Sequence, residues 1–280
     1  MTQALPCHAT LTDLFTDDPM SAPLTYPGRL PQTSGLLQDE SFPPLTEVAG
    51  APAADWRIEA GGHAVRLDDH LAALGAAPMS ARHAVVAVGS NAAPSQLHRK
   101  FVAGGLRPVV PLTRSTVRGI APGVSAHVNR NGYVPAAPIT ARTASRLFVL
   151  WVDQAQLAVL DRTEPNYHRR VLPPRTHPVT LASGVAAPLS HLYAGRHGCL
   201  VDQAGRPMRL DAQAPLITRL LARSAELRRL CGTSPEAFVT RVQKPVVRET
   251  AYHLFRSLGL AREQPELLNL PAGGSGLNAS

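Results

Sequence analysis

The chain has 280 residues, 28 Lys and Arg against 20 Asp and Glu, a net charge of +8 and a pI near 10.1. That length supports one substantial core. Three widely spaced cysteines, Cys7, Cys199 and Cys231, with no CxxC pair, argue against a disulfide framework or a zinc cage. No apolar run approaches a membrane span and the amino terminus lacks a basic-then-apolar leader, so a soluble cytoplasmic protein with no membrane partner is expected.

The charge is unevenly spread. Residues 1–78 carry three arginines and ten acids, a net −7, while residues 79–280 carry 25 bases and ten acids, a net +15. The bases are scattered singly or in pairs such as Arg169-Arg170 and Arg228-Arg229, and aromatics make up only 5% of the chain. Without a Lys/Arg run or stacking residues, nucleic acid is not expected as a partner.

Residues 1–55 hold Pro19, Pro23, Pro27, Pro31, Pro43, Pro44 and Pro52 among Ser, Thr and Asp, which predicts an acidic extension or strap without regular structure. A core of residues 56–212 follows. Asp68 to Leu74 has room for one or two helical turns before Gly75. Then Ala84-Val85-Val86-Ala87-Val88 runs into Gly89-Ser90-Asn91-Ala92-Ala93-Pro94, which reads as strand, tight loop and helix start. Gly89 admits close backbone approach, Ser90 and Asn91 add short polar side chains, and amides at the helix start attract an anion.

Ser95 to Val102 reads as a short helix with Leu97 and Phe101 on one face, stopped by Gly104-Gly105. Short strands are predicted at 108–112, 113–120, 125–129 and 133–141, with Asn131-Gly132 as a hairpin signal, and further strands at 147–152, 168–172, 179–181 and 189–194. Between the strands at 147–152 and 168–172, Asp153 is placed to cap a helix carrying Leu157 and Leu160 inward. That helix ends in Asp161-Arg162-Thr163-Glu164-Pro165, where the proline holds Glu164 in a constrained bend. Helices are expected at 215–230, after Ser234-Pro235 and at 246–258, so residues 213–265 form a helical layer and residues 266–280 a frayed tail.

Together, the Gly89-Ser90-Asn91 loop and the Leu160-to-Glu164 turn resemble the gamma-glutamylcyclotransferase-like superfamily. There an apolar strand ends in Tyr-Gly-Ser-Asn and a Leu-Asp-x-x-Glu turn supplies a catalytic glutamate. The resemblance covers roughly residues 80 to 200. It implies an α+β fold with a mixed curved sheet or small β-barrel, flanked by helices. It further implies 5-oxoproline release from a γ-glutamyl amine or peptide, with Glu164 as acid/base and Val88, Gly89, Ser90, Asn91 and Ala92 as the substrate-binding loop. No metal or cofactor is implied. Val88 stands where the family has tyrosine, and Pro165 where glycine is common, so a non-catalytic binding protein on the same fold is the alternative.

Read without that resemblance, Glu164 is a surface turn acid paired with Arg162 or Arg169. Asn166 and Tyr167 are near enough to touch substrate, though Tyr167 and Tyr193 also suit core packing. His127, His168, His177, His191 and His197 lack metal-site spacing. The leaving amine and the oligomeric state stay open.

Overall fold

The computed structural model describes residues 11–274, and Cys7 lies outside them. In chain order the first elements are β1 (Gly35–Gln38), β2 (Leu45–Thr46), β3 (Arg57–Ala60), β4 (His63–Arg66) and α1 (Leu67–Ala73). Next come β5 (His83–Ala87), α2 (Pro94–Ala103), the long strands β6 (Val109–Val124) and β7 (Ala136–Val152), and α3 (Gln154–Thr163). Then follow β8 (Tyr167–Leu172), β9 (Val179–Leu181), β10 (Ser190–Gly195) and β11 (Cys199–Leu200). The chain closes with α4 (Gln213–Arg223), α5 (Ala225–Cys231), α6 (Pro235–Val242), α7 (Pro245–Ser257), β12 (Ala261–Arg262) and α8 (Pro265–Leu268).

The fold is α+β. Seven strands form one sheet in the order β1-β6-β7-β5-β10-β8, with β9 added on β6. All pairings are antiparallel except β5 with β10, so the sheet is mixed. Its ends, β1 and β8, do not pair, so the small-barrel form is not realised and the sheet stays open. Side chains alternate across β5 and β7. Val85, Leu150 and Val152 meet Leu97, Phe101, Leu157 and Leu160 of α2 and α3. Val86, Val149 and Trp151 face the other way, toward Trp56, Ile58, Leu67 and Leu71 from the β2-β3-β4 sheet and α1. Apolar layers on both faces explain why β5 reads as an unbroken apolar run. The helices α4–α7 close around Leu216, Leu220, Phe238 and Phe255.

Further expectations change. Residues 1–55 are not devoid of regular structure: β1 is an edge strand of the main sheet, with Leu36 and Leu37 fully buried, because Gly35 to Gln38 finds an unpaired edge on β6. The short strands predicted between 108 and 141 fuse into β6 and β7, bent at a register shift between Arg118 and Ile120 where Gly119 takes φ +81°. Residues 125–129 are loop, while the turn at Asn131-Gly132 forms, closed by Asn129 N–H donating to Tyr133 O at 2.8 Å. The helix predicted at 215–230 breaks at Ser224, extended at φ −150°, whose hydroxyl accepts the Glu226 and Leu227 amides and starts α5 as a new helix. Finally, residues 266–274 are not frayed: Leu267 is buried and Ala272 bridges to Arg170.

Helices at 94–103 and 154–163, the Asp153 cap with its reciprocal Gln156 bond, and the Ser234-Pro235 restart form at the positions the sequence indicates. Cys199 and Cys231 are free and buried. No helix of the described residues is long and apolar enough to cross a membrane.

Candidate active site

Two helices deliver the site's charges. α2 starts with Pro94 directly after a 3-10 turn at Ser90–Ala92, so the Gly-Ser-Asn loop sits at the end of central strand β5 and at the mouth of α2. α3 leaves β7 one strand over, is fixed at its start by the Asp153–Gln156 capping box, and packs against α2 through Leu157 and Leu160. Its C-terminal end therefore stops beside the loop. Glu164 caps that end at φ −115°, ψ 52°.

The Asn91 side chain bridges the two. Its Nδ2 donates to Glu164 Oε1 at 3.0 Å, while its Oδ1 accepts from Lys100 Nζ at 2.7 Å. Lys100 in turn donates to the same Glu164 Oε1 at 2.6 Å. Both charged side chains are largely withdrawn from water, at 9% and 14% exposure. Glu164 Oε2 has no protein partner among the described residues. Neither Arg162 nor Arg169 pairs with Glu164; Arg169 binds Asp161 at 3.0 Å. Lys100, two helical turns past the loop on the same face of α2, was the missing partner.

Within the loop, Val88, Gly89, Ser90 and Asn91 line a cavity of about 870 Å³. Ala92 does not. It is buried against the α2 and α3 core, and its amide is used to close the turn onto Gly89 O at 2.9 Å. The Ser90 amide is directed at the Tyr26 hydroxyl, while the Asn91 amide has no acceptor among the described residues and is the donor this loop leaves open. Gly89 is required sterically: a Cβ there would lie 2.6 Å from Ala136 Cβ and 2.9 Å from the Tyr26 hydroxyl.

The chain has five tyrosines, and all five line this cavity: Tyr26, Tyr133, Tyr167, Tyr193 and Tyr252. Tyr26 stacks on Tyr133 at 4.3 Å, and its hydroxyl accepts the Ala136 amide at 2.8 Å. Tyr167 donates to the carbonyl of the same residue at 2.6 Å, and Tyr193 donates to Asp161 at 2.8 Å. Burial, reinforced by the nearby Glu164 charge, pushes the Tyr26 phenol up to about 12 and raises Tyr133, Tyr167 and Tyr193 as well. These hydroxyls are neutral at physiological pH. Asn166 and Tyr167 do line the cavity, and Tyr193 both packs in the core and lines it.

A further wall comes from helix α7, which contributes Pro245, Arg248, Glu249 and Tyr252. Tyr252 meets His197 Nδ1 at 3.3 Å, His197 Nε2 meets Asn166 Oδ1 at 3.1 Å, and the His197 ring lies 4.4 Å from His127. Burial, with smaller contributions from His197 and Arg256, lowers His127 to about 3, and its Nδ1 shares a 2.6 Å hydrogen bond with Ser125. The lining also carries Arg99, Arg130 and Arg162, and among the described residues none of these, nor Arg248, forms an ion pair. With Lys100 and Glu164 cancelling, the cavity wall is cationic.

The sequence singled out the loop and Glu164, and the structure brings them together at one cavity. Sequence reasoning missed Lys100, Tyr26, Tyr133 and the α7 wall, whose only sequence signal is that tyrosine is scarce. Among the described residues no cluster of three or more His, Cys, Asp or Glu has the geometry to hold a metal ion. No protein-family model, curated protein or solved structure matches this chain.

Proposed function

We propose that this protein is a gamma-glutamylcyclotransferase-like enzyme that releases 5-oxoproline from a γ-glutamyl amino acid or peptide. The observation that carries the reading is the Asn91–Glu164 contact. A carboxylate from the end of α3 meets the loop at the head of α2 inside a cavity whose size suits a small molecule. The reaction needs little more. The substrate's own α-amine is the nucleophile, so the protein's task is to fold the glutamyl chain, take a proton from the ammonium and return it to the leaving nitrogen.

In this reading Glu164 Oε2 takes the ammonium proton. The amine attacks the γ-carbonyl carbon, a C–N bond closes the five-membered ring, and the original amide C–N bond breaks as Glu164 returns the proton to the leaving nitrogen, which also takes the second proton shed by the ring nitrogen and departs as an ammonium. No water is consumed. Lys100 holds Oε1, leaving Oε2 for proton transfer. The open Asn91 amide binds oxygen on the substrate. The unpaired arginines favour a leaving amine that bears a carboxylate over a neutral one.

The alternative, a binding protein on this scaffold, draws on Val88 and on the Lys100 ammonium already paired with Glu164. Assaying 5-oxoproline release from γ-glutamyl amino acids, γ-glutamyl peptides and neutral γ-glutamylamines separates the two. Cyclotransfer predicts release that is lost in Glu164→Gln and is fastest with carboxylate-bearing leaving groups. Binding of the same compounds without release would select the alternative.

A further inference from the structure

Resting on that reading, the cationic wall of the cavity resolves into one receptor. Four arginines line it, and their hydrogen bonds set them apart. Arg99 donates Nη2 to Gln96 Oε1 at 3.1 Å, has its Nε shut away without a partner, and already lies in the field of Asp18. Arg162 is exposed in the last turn of α3. Arg248 is different. It lies one turn into α7 and is half-buried, and its Nη1 donates to Val242 O and to Gln243 O, both at 3.1 Å, where α6 ends and leaves its carbonyls open.

Those two bonds decide what the guanidinium presents. A guanidinium carries its N–H donors in a planar fork, and along its Nε–Nη2 edge two of them run parallel. With Nη1 spent on the end of α6 the plane is fixed and that edge is left over. Among the described residues neither Nε nor Nη2 has a partner, and neither is sealed from solvent. A rigid edge of two parallel donors on a cavity wall matches the two oxygens of a carboxylate.

The bonds that hold this edge also shape the rest of the wall. Gln243 Nε2 donates to Asn131 O at 3.1 Å and Asn131 Nδ2 donates to Met20 O at 2.8 Å, so the α6–α7 junction, the turn at 129–133 and the amino-terminal segment are tied in series. Arg130 stands on that turn, exposed and lining the cavity, with no hydrogen bond or ion pair among the described residues. Tyr133 of the same turn is within electrostatic reach of both Arg130 and Glu164, so arginine and acid border one continuous space. The acids on the wall are Glu164, already bonded by Lys100, and Glu249, so guanidinium groups outnumber carboxylates there.

We propose that Arg248 is the specificity-determining residue for the leaving group: its Nε and Nη2 bind the carboxylate of the departing amino acid or peptide, and Arg130 adds charge from the neighbouring turn. Arg248 makes and breaks no covalent bond. The helical layer thereby reads the half of the substrate that the loop and Glu164 do not touch.

The test compares 5-oxoproline release from the best γ-glutamyl amino acid or peptide with release from the same compound after its leaving-group carboxylate is converted to the amide. Wild type is expected to favour the acid by about 10- to 100-fold in kcat/KM. The preference should sit in KM, because the contact is the same before and during ring closure. Arg248→Gln is expected to reduce it to no more than about threefold, and Arg130→Gln to lower it by no more than about fivefold, as suits an exposed charge. Arg248 also holds the end of α6, but a purely structural role would slow acid and amide alike and leave their ratio untouched. Arg248→Lys can still reach the α6 carbonyls and lacks the paired edge, so it carries the same test if Arg248→Gln does not fold, with an expected loss of preference of about three- to tenfold. A ratio within about twofold of wild type in these Arg248 variants, or a wild type that takes acid and amide equally, overturns the role of Arg248 and leaves cyclotransfer standing. No release by wild type from any compound overturns both.

Discussion

The Lys100–Glu164 pair permits a test that needs no substrate. At 2.6 Å and an effective dielectric of about 20, the gross attraction of the two charges is about 6 kcal/mol, and desolvation of both offsets much of it. Removing one partner of a fully buried pair typically costs about 3–5 kcal/mol. Here the side chains keep 9% and 14% exposure, and Asn91 still bonds whichever charge is left, so about 2–3 kcal/mol is expected for Lys100→Met. Glu164→Gln leaves the ammonium two neutral acceptors and should cost less. In the double variant neither charge is stranded, so the cycle should give a coupling of about 1.5–3 kcal/mol. The assay is urea denaturation of the four proteins at neutral pH, repeated in high salt, with linear extrapolation. Salt should change the coupling little, because the pair is shielded from mobile ions. A coupling below about 0.5 kcal/mol, or one abolished by salt, is the behaviour of an exposed pair and would refute the account of Lys100 as a buried anchor for Glu164.

Gly89→Ala forces a methyl against Ala136 Cβ and the Tyr26 hydroxyl, and should cost about 1–3 kcal/mol and abolish 5-oxoproline release; an unchanged melting temperature would show that the loop has room. His127 titrates at about 3 in the fold against 6.5 for a free imidazole, so the unfolded chain binds the extra proton between those values. The stabilisation is complete above pH 6.5 and is lost as pH falls, by about 2 kcal/mol at pH 5. His127→Gln should flatten that slope by the same amount in denaturation curves at pH 7.5 and 5, and equal slopes in the two proteins would contradict a buried neutral imidazole. Asp153→Ala removes the capping box that sets the direction of α3; about 1 kcal/mol is expected, along with a fall in kcat as Glu164 loses its register with Asn91. A stability loss with kcat intact would mean that α3 is positioned by Leu157 and Leu160 alone.

What the sequence discloses and what it conceals divide along chain distance. The Ala84-to-Pro94 stretch, the Asp153 cap and Pro165 after Glu164 are all local: a strand, a turn and a helix stop are written in adjacent residues, and the positions of α2, α3 and Glu164 follow. Lys100 lay within reach of the same reasoning. It follows the loop by nine positions on a helix whose face carries Leu97 and Phe101, and a lysine beside that stripe must either snorkel out or find an anion. β1 and the break at Ser224 were out of reach for a different reason. Gly35 to Gln38 becomes a strand only because β6 offers it an edge, and Ser224 favours helix or cap according to what its neighbours bury. Tyr26 and Tyr133 meet across more than a hundred residues with no pattern in either local sequence to join them.

The distribution of polar side chains argues that the outer layers are more than cover. A strap or helical layer whose only task is to shield a sheet gains most by burying apolar atoms, and each polar group it turns inward costs free energy unless paired. The amino-terminal segment turns Tyr26 toward the cavity, and α7 turns Arg248 and Tyr252 toward it, while Phe255 of the same helix packs into the apolar interior. In a chain with only 5% aromatics, all five tyrosines converging from five separate segments is not what shielding alone requires. It is what a site needs when it must hold rigid amphipathic rings, fixed by hydrogen bonds at their polar tips, around a polar ligand. The extension and the helical layer are therefore read as parts of one binding cavity that is centred on Glu164.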